Sequence, residues 1–328
     1  MSSGAPIQGV HAAIPTPFDE QRGIDVKALD HLVDYLVERD LHGLALLTEV
    51  AEDVLLSAEE RRAIIKAVSA RLKGKRSLLV CISAPASQEA IELARFAEGK
   101  GAQAIVLQPP RVPGIGYREL YRHVDRVVRA VGLPVLLLTR PANAIEMLAP
   151  EEATALVGHP GLRGVVAPHA PPAALETWLK RFKGRDAAVL GGASLALSRT
   201  LKAGAHGVVC AMATIAAAQA AELWEAIGQA DQTRIERLET SFDALVSLLG
   251  PPATTDVKDG LHKLANKIAR RTVDTSLLPP TYPFALIKEA LRLQGHPVRG
   301  DVRPPFEAAR PEAVERLRAV LQHAGVLS

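Results

Sequence analysis

The sequence predicts a (β/α)8 barrel followed by a C-terminal helical region. Two observations support this prediction. Eight short apolar runs alternate with helix-like segments between positions 10 and 210, a pattern typical of a barrel that occupies about 250 residues. These units contain no Gly-x-Gly-x-x-Gly phosphate turn, which disfavours the alternative, an open doubly wound sheet.

Composition excludes several classes of protein. The chain has 328 residues, 48% of them hydrophobic, which is enough for a large core. Its net charge is +3, and no basic cluster is interleaved with aromatic residues, so we expect no nucleic-acid partner. No apolar run approaches the roughly 18–20 residues that span a bilayer, and the N-terminus lacks the features of a signal peptide. Cys81 and Cys210 lie in apolar runs, which indicates buried thiols in a reducing, cytoplasmic compartment.

The first half of the barrel contains four strand–helix units. The predicted strands are Val10–Ile14, Gly43–Leu47, Ser77–Ile82 and Ala104–Gln108. The predicted helices are Val26–Leu41, 57–72, Ser87–Lys100 and Tyr117–Val131. The second helix begins with Ser57 as N-cap and Glu60 three residues later, the signature of a capping box. The polar stretch Thr48–Asp53 is predicted to be a loop.

The centre of the chain holds a clear strand–helix–strand unit. The apolar runs Val135–Leu138 and Gly164–Ala167 flank the helical segment 150–157, so they form neighbouring buried strands of a parallel sheet. Polar residues follow the ends of these runs: Thr139, Arg140, Asn143 and His169. Because active sites of parallel α/β folds lie at the carboxyl ends of strands, we expect the functional site there.

The rest of the chain completes the barrel and then becomes helical. Strands are predicted at Ala187–Gly191 and Gly207–Cys210, with helices at Pro172–Arg181 and Ser194–Ala203. Further helices are predicted at Ala216–Ile227, Gln232–Leu249, Val257–Ile268, Pro283–Leu293 and Pro311–Gly325. We therefore divide the chain into a barrel, 1–215, and a C-terminal helical region packed on it, 216–328.

Several motifs recur in the order and spacing of a known family. They are Thr16-Pro17-Phe18, Gly43 to Glu52, Leu56-Ser57-x-Glu59-Glu60, Leu133-Pro134-Val135, Pro141, Gly164-Val165, Gly204-x-x-Gly207-Val208, Ile287-Lys288-x-Ala290-Leu291 and Val302-Arg303-Pro304-Pro305. With these motifs the chain resembles the dihydrodipicolinate synthase/N-acetylneuraminate lyase (DapA-like) family of pyruvate-dependent class I aldolases. The resemblance implies a lyase built on a barrel and a homo-oligomer, either a dimer or a tetramer.

The positions that carry the family's catalytic residues hold different side chains here. The resemblance places the Schiff-base lysine at Val166 and the general acid/base tyrosine at Leu138. It places one of the two relay hydroxyls at Val50 and the relay tyrosine near Val112. Imine formation needs an amine nucleophile, and proton transfer needs a phenol. Because valine and leucine supply neither, the resemblance implies the fold without the class I aldolase reaction.

The strand-two motif keeps one functional residue. Where the family has Gly-Thr-Thr-Gly-Glu, this chain has Thr48-Glu49-Val50-Ala51-Glu52. Glu49 and Glu52 are three residues apart in one loop, so they are candidates for a carboxylate pair, or for part of a metal site with His169. His169 is also a candidate general base near neutral pH. The alternatives are that Glu52 caps backbone amides, that Glu49 is solvated, and that His169 is a surface or capping histidine.

Five further residues are candidates for ligand binding: Thr48, Arg140, Asn143, Gly191 and Gly192. Arg140 can bind a carboxylate through two parallel hydrogen bonds, or it can pair with Glu49 or Glu52. The two glycines can admit a substrate carboxylate to the backbone, or they can form a tight turn. Asn143 lies near the position of an arginine that often follows the family's strand-five tyrosine.

Two functional hypotheses follow. The first is a pseudoenzyme, or a binding protein for a small carboxylate or oxo-acid, without Schiff-base chemistry. The second is an active lyase or hydratase that uses acid/base chemistry on an oxo-acid. Strong metal-binding spacings such as His-Glu-x-x-His are absent from the sequence, so we expect neither a metal nor another cofactor. The segment 251–280 looks longer than in the family and is a candidate for altering the oligomer interface.

Overall fold

A closed barrel of eight parallel strands forms the centre of the molecule. The computed structural model describes residues 7–110, 112–139, 148–168, 172–192, 197–249 and 284–327. The strands are Gly9–Ala13 (β1), Gly43–Leu46 (β2), Ser77–Ser83 (β3), Ala104–Gln108 (β4), Val135–Leu138 (β5), Gly164–Ala167 (β6), Ala188–Gly191 (β7) and Gly207–Cys210 (β8). Each strand pairs with the next, and β8 pairs with β1. The predicted (β/α)8 barrel is confirmed, and an open sheet is excluded.

Helices follow the strands in the predicted alternation. They are Val26–Val37 (α1), Ala58–Leu72 (α2), Ser87–Gly99 (α3), Tyr117–Ala130 (α4), Pro150–Val157 (α5), Pro172–Phe182 (α6), Leu197–Lys202 (α7), Met212–Ile215 (α8), Ala217–Gly228 (α9), Gln232–Leu249 (α10), Phe284–Leu293 (α11) and Pro311–His323 (α12). α1 ends four residues before the predicted end at Leu41. The predicted helix Val257–Ile268 and the segment 251–280 lie outside the described residues. The stretch predicted as a loop contains two short 3-10 turns, Glu49–Ala51 and Asp53–Leu55.

The capping box that begins α2 is confirmed. The Ser57 hydroxyl accepts a hydrogen bond from the Glu60 N–H at 3.2 Å, and the Ser57 N–H donates to the Glu60 carboxylate at 2.8 Å. These bonds satisfy two donors that would otherwise be unpaired at the helix terminus, an interaction worth about 1 kcal/mol. The cap also fixes where the chain turns from the β2 loop into α2.

Strand alternation decides which side chains fill the barrel. Ala13 lines a cavity at the carboxyl end of the strands, so His11, two residues earlier on β1, points into the interior as well. The His11 Nε2 lies 3.3 Å from the Ser77 hydroxyl. A Cβ at Gly43 would lie 2.5 Å from the His11 ring and 2.5 Å from the Ser77 carbonyl oxygen. Glycine at position 43 therefore makes room for a buried imidazole.

The C-terminal helices share the core of the barrel. Leu223 on α9, Leu245 on α10, Leu291 on α11 and Leu321 on α12 belong to the same hydrophobic cluster as the strands. Both cysteines are buried thiols, as predicted, and they form no disulfide with each other. No helix in the described part of the chain is long and apolar enough to cross a membrane. The boundary at 215/216 stays a prediction.

Candidate ligand site at the barrel mouth

The carboxyl ends of the strands surround a small, mainly apolar cavity of about 40 Å³. It is lined by Ala13, Ala45, Thr48, Glu49, Val50, Leu79, Cys81, Val106, Leu138, Val166, Pro168, Val209, Cys210 and Ala211. We call this cavity and its rim the barrel mouth. Sites of barrel enzymes lie at this end because loops from several strands converge there. Drug-sized ligands occupy pockets of about 300–1,000 Å³, so the space that the described residues enclose suits only a small group.

Two aliphatic side chains occupy the carboxyl ends of β5 and β6. Leu138 and Val166 are partners in the register between these strands, and both line the cavity. They are buried, at 4% and 1% exposure. Neither side chain contains a nucleophile or a group that exchanges protons at neutral pH. This side of the mouth can therefore pack against a ligand but cannot react with it.

The segment Thr48–Ala51, which we call the mouth segment, brings polar atoms to the cavity. Thr48, Glu49 and Val50 all line it. Leu47, immediately before the segment, has a left-handed backbone with φ 55°, which is costly for a residue with a branched side chain. The Thr48 Oγ1 is buried and has no hydrogen-bond partner within the described residues. A buried hydroxyl without a partner is unfavourable, so this atom is a candidate contact for a ligand.

Glu52 does not share the cavity with Glu49. Its side chain is fully buried, and its two carboxylate oxygens accept hydrogen bonds from the C-terminal part of the chain. Oε1 accepts from the Lys288 Nζ at 2.5 Å, and Oε2 accepts from the Arg303 backbone N–H at 2.8 Å. The structure therefore separates the two carboxylates that the sequence suggested as a pair. We call Glu52, Lys288 and Arg303 the Glu52 network.

Lys288 is a buried lysine, but it lies in the Glu52 network rather than at the mouth. Its Nζ also donates to the Asp301 carbonyl oxygen at 2.8 Å and lies 4.1 Å from the centre of the Phe18 ring. Burial lowers the pKa of Lys288, and the neighbouring Glu52 carboxylate opposes this shift. Every other lysine among the described residues is exposed. Lysine nucleophiles are absent from the described lining of the mouth.

Cys210 lines the mouth but is held as a neutral thiol. Burial raises its pKa to about 11, although backbone N–H groups of Met212 and Ala213 partly oppose the shift. The thiolate is the reactive form of cysteine. Cys210 therefore supplies a small apolar wall at neutral pH. Within the described residues, no three or more His, Cys, Asp or Glu side chains are grouped to hold a metal ion.

Three of the remaining predicted site residues lie within the described part of the chain, and three lie outside it. A Cβ at Gly191 would collide with the Thr200 side chain, and a Cβ at Gly192 would lie 2.5 Å from the Pro168 carbonyl oxygen. Gly191 at the end of β7 therefore packs closely on α7, and Gly192 packs closely on the backbone of Pro168. Their role in ligand binding stays a prediction. Val112 is 40% exposed and does not line the cavity. Arg140, Asn143 and His169 lie outside the described residues, and their roles stay predictions.

Sequence reasoning did not anticipate the Glu52 network. Residues 284–288 read Phe-Ala-Leu-Ile-Lys, and all five side chains are buried. A lysine that follows an apolar run on a buried helix requires a partner, since isolated buried charges are expensive. This signal could have predicted an ion pair at Lys288. It could not have identified the partner, because Glu52 lies 236 residues earlier in the chain.

Comparison with known proteins gives a consistent result. The model of the Dihydrodipicolinate synthetase family matches residues 6–265. The uncharacterised DapA-like lyase TK1237 of Thermococcus kodakarensis is 26% identical over 317 residues, 96% of this chain and 99% of the relative. A 4-hydroxy-tetrahydrodipicolinate synthase of Methanopyrus kandleri is 27% identical over 326 residues, 99% of this chain and 98% of the relative.

Solved structures show the same fold. YagE, a prophage protein of the dihydrodipicolinic acid synthase family from E. coli K12 solved in complex with pyruvate, superimposes with a TM-score of 0.82 at 23% identity. The match covers 98% of this chain and 100% of YagE. N-acetylneuraminate lyase from Mycoplasma synoviae gives a TM-score of 0.75 at 18% identity, covering 96% of this chain and 97% of the lyase. At these identities the likeness concerns the fold.

Proposed function

Because this chain belongs to the dihydrodipicolinate synthetase family, we propose that it keeps the family's barrel as a binding site for a small acid and performs no imine chemistry. The observation that carries this proposal is the pair of aliphatic side chains at the ends of β5 and β6. Val166 and Leu138 stand at the positions to which the resemblance assigns the Schiff-base lysine and the acid/base tyrosine. Both side chains line the mouth, and neither can form an imine or transfer a proton.

The mouth retains features that suit a small ligand. Its base is apolar, and the Thr48 hydroxyl lacks a partner among the described residues. A short carboxylic acid could place its carbon chain against Leu138 and Val166 and accept a hydrogen bond from Thr48. Arg140, which the sequence places just after β5, is the proposed charge partner of the carboxylate. YagE, which shares the fold, was solved with pyruvate.

Calorimetric titration with pyruvate tests the binding half of the proposal. We expect saturable binding, and no consumption of pyruvate when the mixture is followed by proton NMR. Val166→Glu is the matched variant, since its longer side chain fills a cavity of about 40 Å³ and should abolish binding by occupying the site. Binding that is unchanged in Val166→Glu would place pyruvate elsewhere on the protein. If neither pyruvate nor another short oxo-acid binds, the binding half of the proposal is wrong. The protein would then be a pseudoenzyme without such a ligand.

A second candidate function is supported by Glu49, which lines the mouth. As a general base it could remove a proton next to the carbonyl group of an oxo-acid and so support a lyase or hydratase reaction without an imine. Exchange of the pyruvate methyl protons with deuterium from the solvent, measured by NMR, distinguishes the two functions. Exchange that disappears in Glu49→Gln would favour the enzyme, and no exchange would favour the binding protein.

We also propose that the protein is a closed homo-oligomer, a dimer or a tetramer. The resemblance implies such an assembly, and closed symmetry is the default among soluble oligomers. Sedimentation velocity should show species of at least twice the chain mass of 35.0 kDa. A single species at the chain mass would contradict the proposal.

A further inference from the structure

We infer that Lys288 and Arg303 are positioning residues for the barrel mouth, because they fix the mouth segment Thr48–Ala51 through Glu52. The inference rests on the proposed function only in treating the mouth as the ligand site. It concerns residues that touch neither the cavity nor a ligand. Three structural features support the positioning role: the backbone of the mouth segment, the hydrogen bonds to Glu52, and the contacts that hold the two basic residues.

The mouth segment is flanked by two residues other than glycine that have a left-handed backbone conformation. Leu47 has φ 55°, and Glu52 has φ 55° and ψ 36°. Side chains with a Cβ disfavour this conformation. Such backbone geometry persists only where the surroundings impose it.

Contacts from outside the segment hold its C-terminal end. Lys288 and Arg303 together occupy both oxygens of the Glu52 carboxylate, at 2.5 Å and 2.8 Å. The Thr16 hydroxyl donates to the Ala51 carbonyl oxygen at 2.8 Å. Both bonds to Glu52 originate in the C-terminal region. The segment that lines the mouth is therefore tied to residues more than 230 positions away in sequence.

The two anchors are themselves held rigidly. Lys288 is fixed by the Asp301 carbonyl oxygen at 2.8 Å and by the Phe18 ring. The Arg303 guanidinium donates to the Glu60 carboxylate at 2.7 Å and to the Leu55 carbonyl oxygen at 3.0 Å. The hydrogen bond to Glu60 raises the pKa of Arg303, which therefore stays charged. Because Lys288 and Arg303 are both held in place, the Glu52 carboxylate has one position in which it accepts both hydrogen bonds.

Loss of one anchor should therefore change the mouth. Without the Lys288 ammonium, the Glu52 carboxylate is buried beside a single backbone donor, and moving it towards water requires Glu52 to leave its left-handed conformation. Residues 48–50 would move with it, because they directly precede Glu52 and share its short turns. Thr48, Glu49 and Val50 would then no longer close the cavity.

The two native cysteines can report this opening of the mouth. It has two cysteines, and both Cys81 and Cys210 line the mouth cavity while being buried. Their reaction with methyl methanethiosulfonate, followed by mass spectrometry, measures how often the mouth opens. Opening confined to the mouth gives a rate that is independent of low urea concentrations, whereas global unfolding gives a rate that rises with urea.

Two variants separate positioning from general stability. Lys288→Met should label at least about tenfold faster than the native protein, at a rate independent of low urea, because relief of the backbone strain favours opening. Lys288→Met/Glu52→Leu removes the unpaired charge as well and should regain unfolding free energy. It should still label fast, because the mouth segment has lost its side-chain anchor. If the single variant does not fold, the double variant carries the test.

Leu321→Ala on α12 is the matched control, since it destabilises the shared core and leaves the Glu52 network intact. Its labelling should rise only in proportion to global unfolding. The inference is wrong if labelling in the double variant returns to the native rate together with stability, or if Leu321→Ala opens the mouth equally. The labelling uses no ligand, so its failure would leave the proposed acid binding untouched, and failure of pyruvate binding would leave the positioning role standing.

Discussion

Two neighbouring regions of this barrel differ in the side chains that they bury: one is aliphatic, and the other contains an ion pair. At the mouth, Leu138 and Val166 occupy the ends of β5 and β6 and offer a ligand only aliphatic surface. A few residues away, the Glu52 network buries a carboxylate and an ammonium together at 2.5 Å. A lysine buried at the mouth would have a lowered pKa and act as a nucleophile. A lysine buried against Glu52 has a structural role.

The comparison gives Glu52 a role that its neighbours in the mouth segment do not share. Glu52 holds the end of the mouth segment through Lys288 and Arg303, a role that does not depend on what the mouth does. Thr48, Glu49 and Val50 face the cavity, where side chains can change with the chemistry. The contacts of Glu52 therefore give it a structural role.

Disruption of the Glu52 network should have the largest effect on stability. Lys288→Met leaves the Glu52 carboxylate buried without its counter-ion, which typically costs about 3–5 kcal/mol. Urea unfolding measures the loss. Lys202→Met removes a half-exposed lysine whose Nζ lies 3.5 Å from Glu239, and it should cost below about 1 kcal/mol. Equal losses in the two variants would contradict the importance given to the network.

A lysine placed at the mouth should lower stability without creating activity. Val166→Lys should cost about 3 kcal/mol, because burial lowers the pKa of a lysine and each unit corresponds to about 1.4 kcal/mol. The variant should not cleave N-acetylneuraminate, since general acid–base help, worth about 10²–10⁴-fold, is still missing at Leu138 and Val50. Val166→Leu controls for packing alone. Cleavage by Val166→Lys would show that proton relays remain.

Acid should destabilise the barrel through buried histidines outside both regions. Burial lowers the pKa of His11 and of His123 to about 4, below the unfolded value of about 6.5. The unfolded chain therefore binds protons first, and stability present above pH 6.5 is lost as the pH falls towards 4. Between pH 7.5 and 5 each histidine should cost about 2 kcal/mol in urea unfolding. His323→Gln, at an exposed position, should not alter this loss, and a flat profile would contradict the assignment.

The smallest expected effect concerns the Thr48 hydroxyl. Thr48→Val replaces a buried oxygen that lacks a partner among the described residues with a methyl group of similar size. Stability should stay the same or rise by up to about 1 kcal/mol, while pyruvate binding weakens. Thr16→Val is the contrasting variant, since the Thr16 hydroxyl bonds the Ala51 carbonyl oxygen and its loss should destabilise. Unchanged pyruvate affinity in Thr48→Val would remove this hydroxyl from the site.

The sequence predicted the barrel well because its signals are local. The strands are short apolar runs, and Val135–Leu138 and Gly164–Ala167 were predicted with the observed boundaries. The α2 capping box joins residues only three positions apart and was also predicted from the sequence. Neighbouring strands then pair in sequence order, so local elements determined the topology.

The site was less predictable because its geometry depends on distant contacts. The sequence suggested Glu49 and Glu52, three residues apart, as a carboxylate pair, yet the left-handed backbone at Glu52 and its bond to Lys288 direct the two carboxylates to different places. A left-handed glutamate has no sequence signature, and the separation of 236 residues hides its partner. Arg140 and His169 lie outside the described residues, so their candidate roles remain predictions.

Borohydride reduction in the presence of pyruvate tests the central claim most directly. An imine between pyruvate and any lysine would be reduced to a stable adduct, which intact-mass spectrometry detects on the native protein. With Val166 and Leu138 at the mouth and Lys288 bound to Glu52, we predict an unchanged mass after saturating treatment. A mass increase corresponding to one reduced pyruvate per chain, mapped to a single lysine, would show that an amine reaches the mouth and would contradict this account.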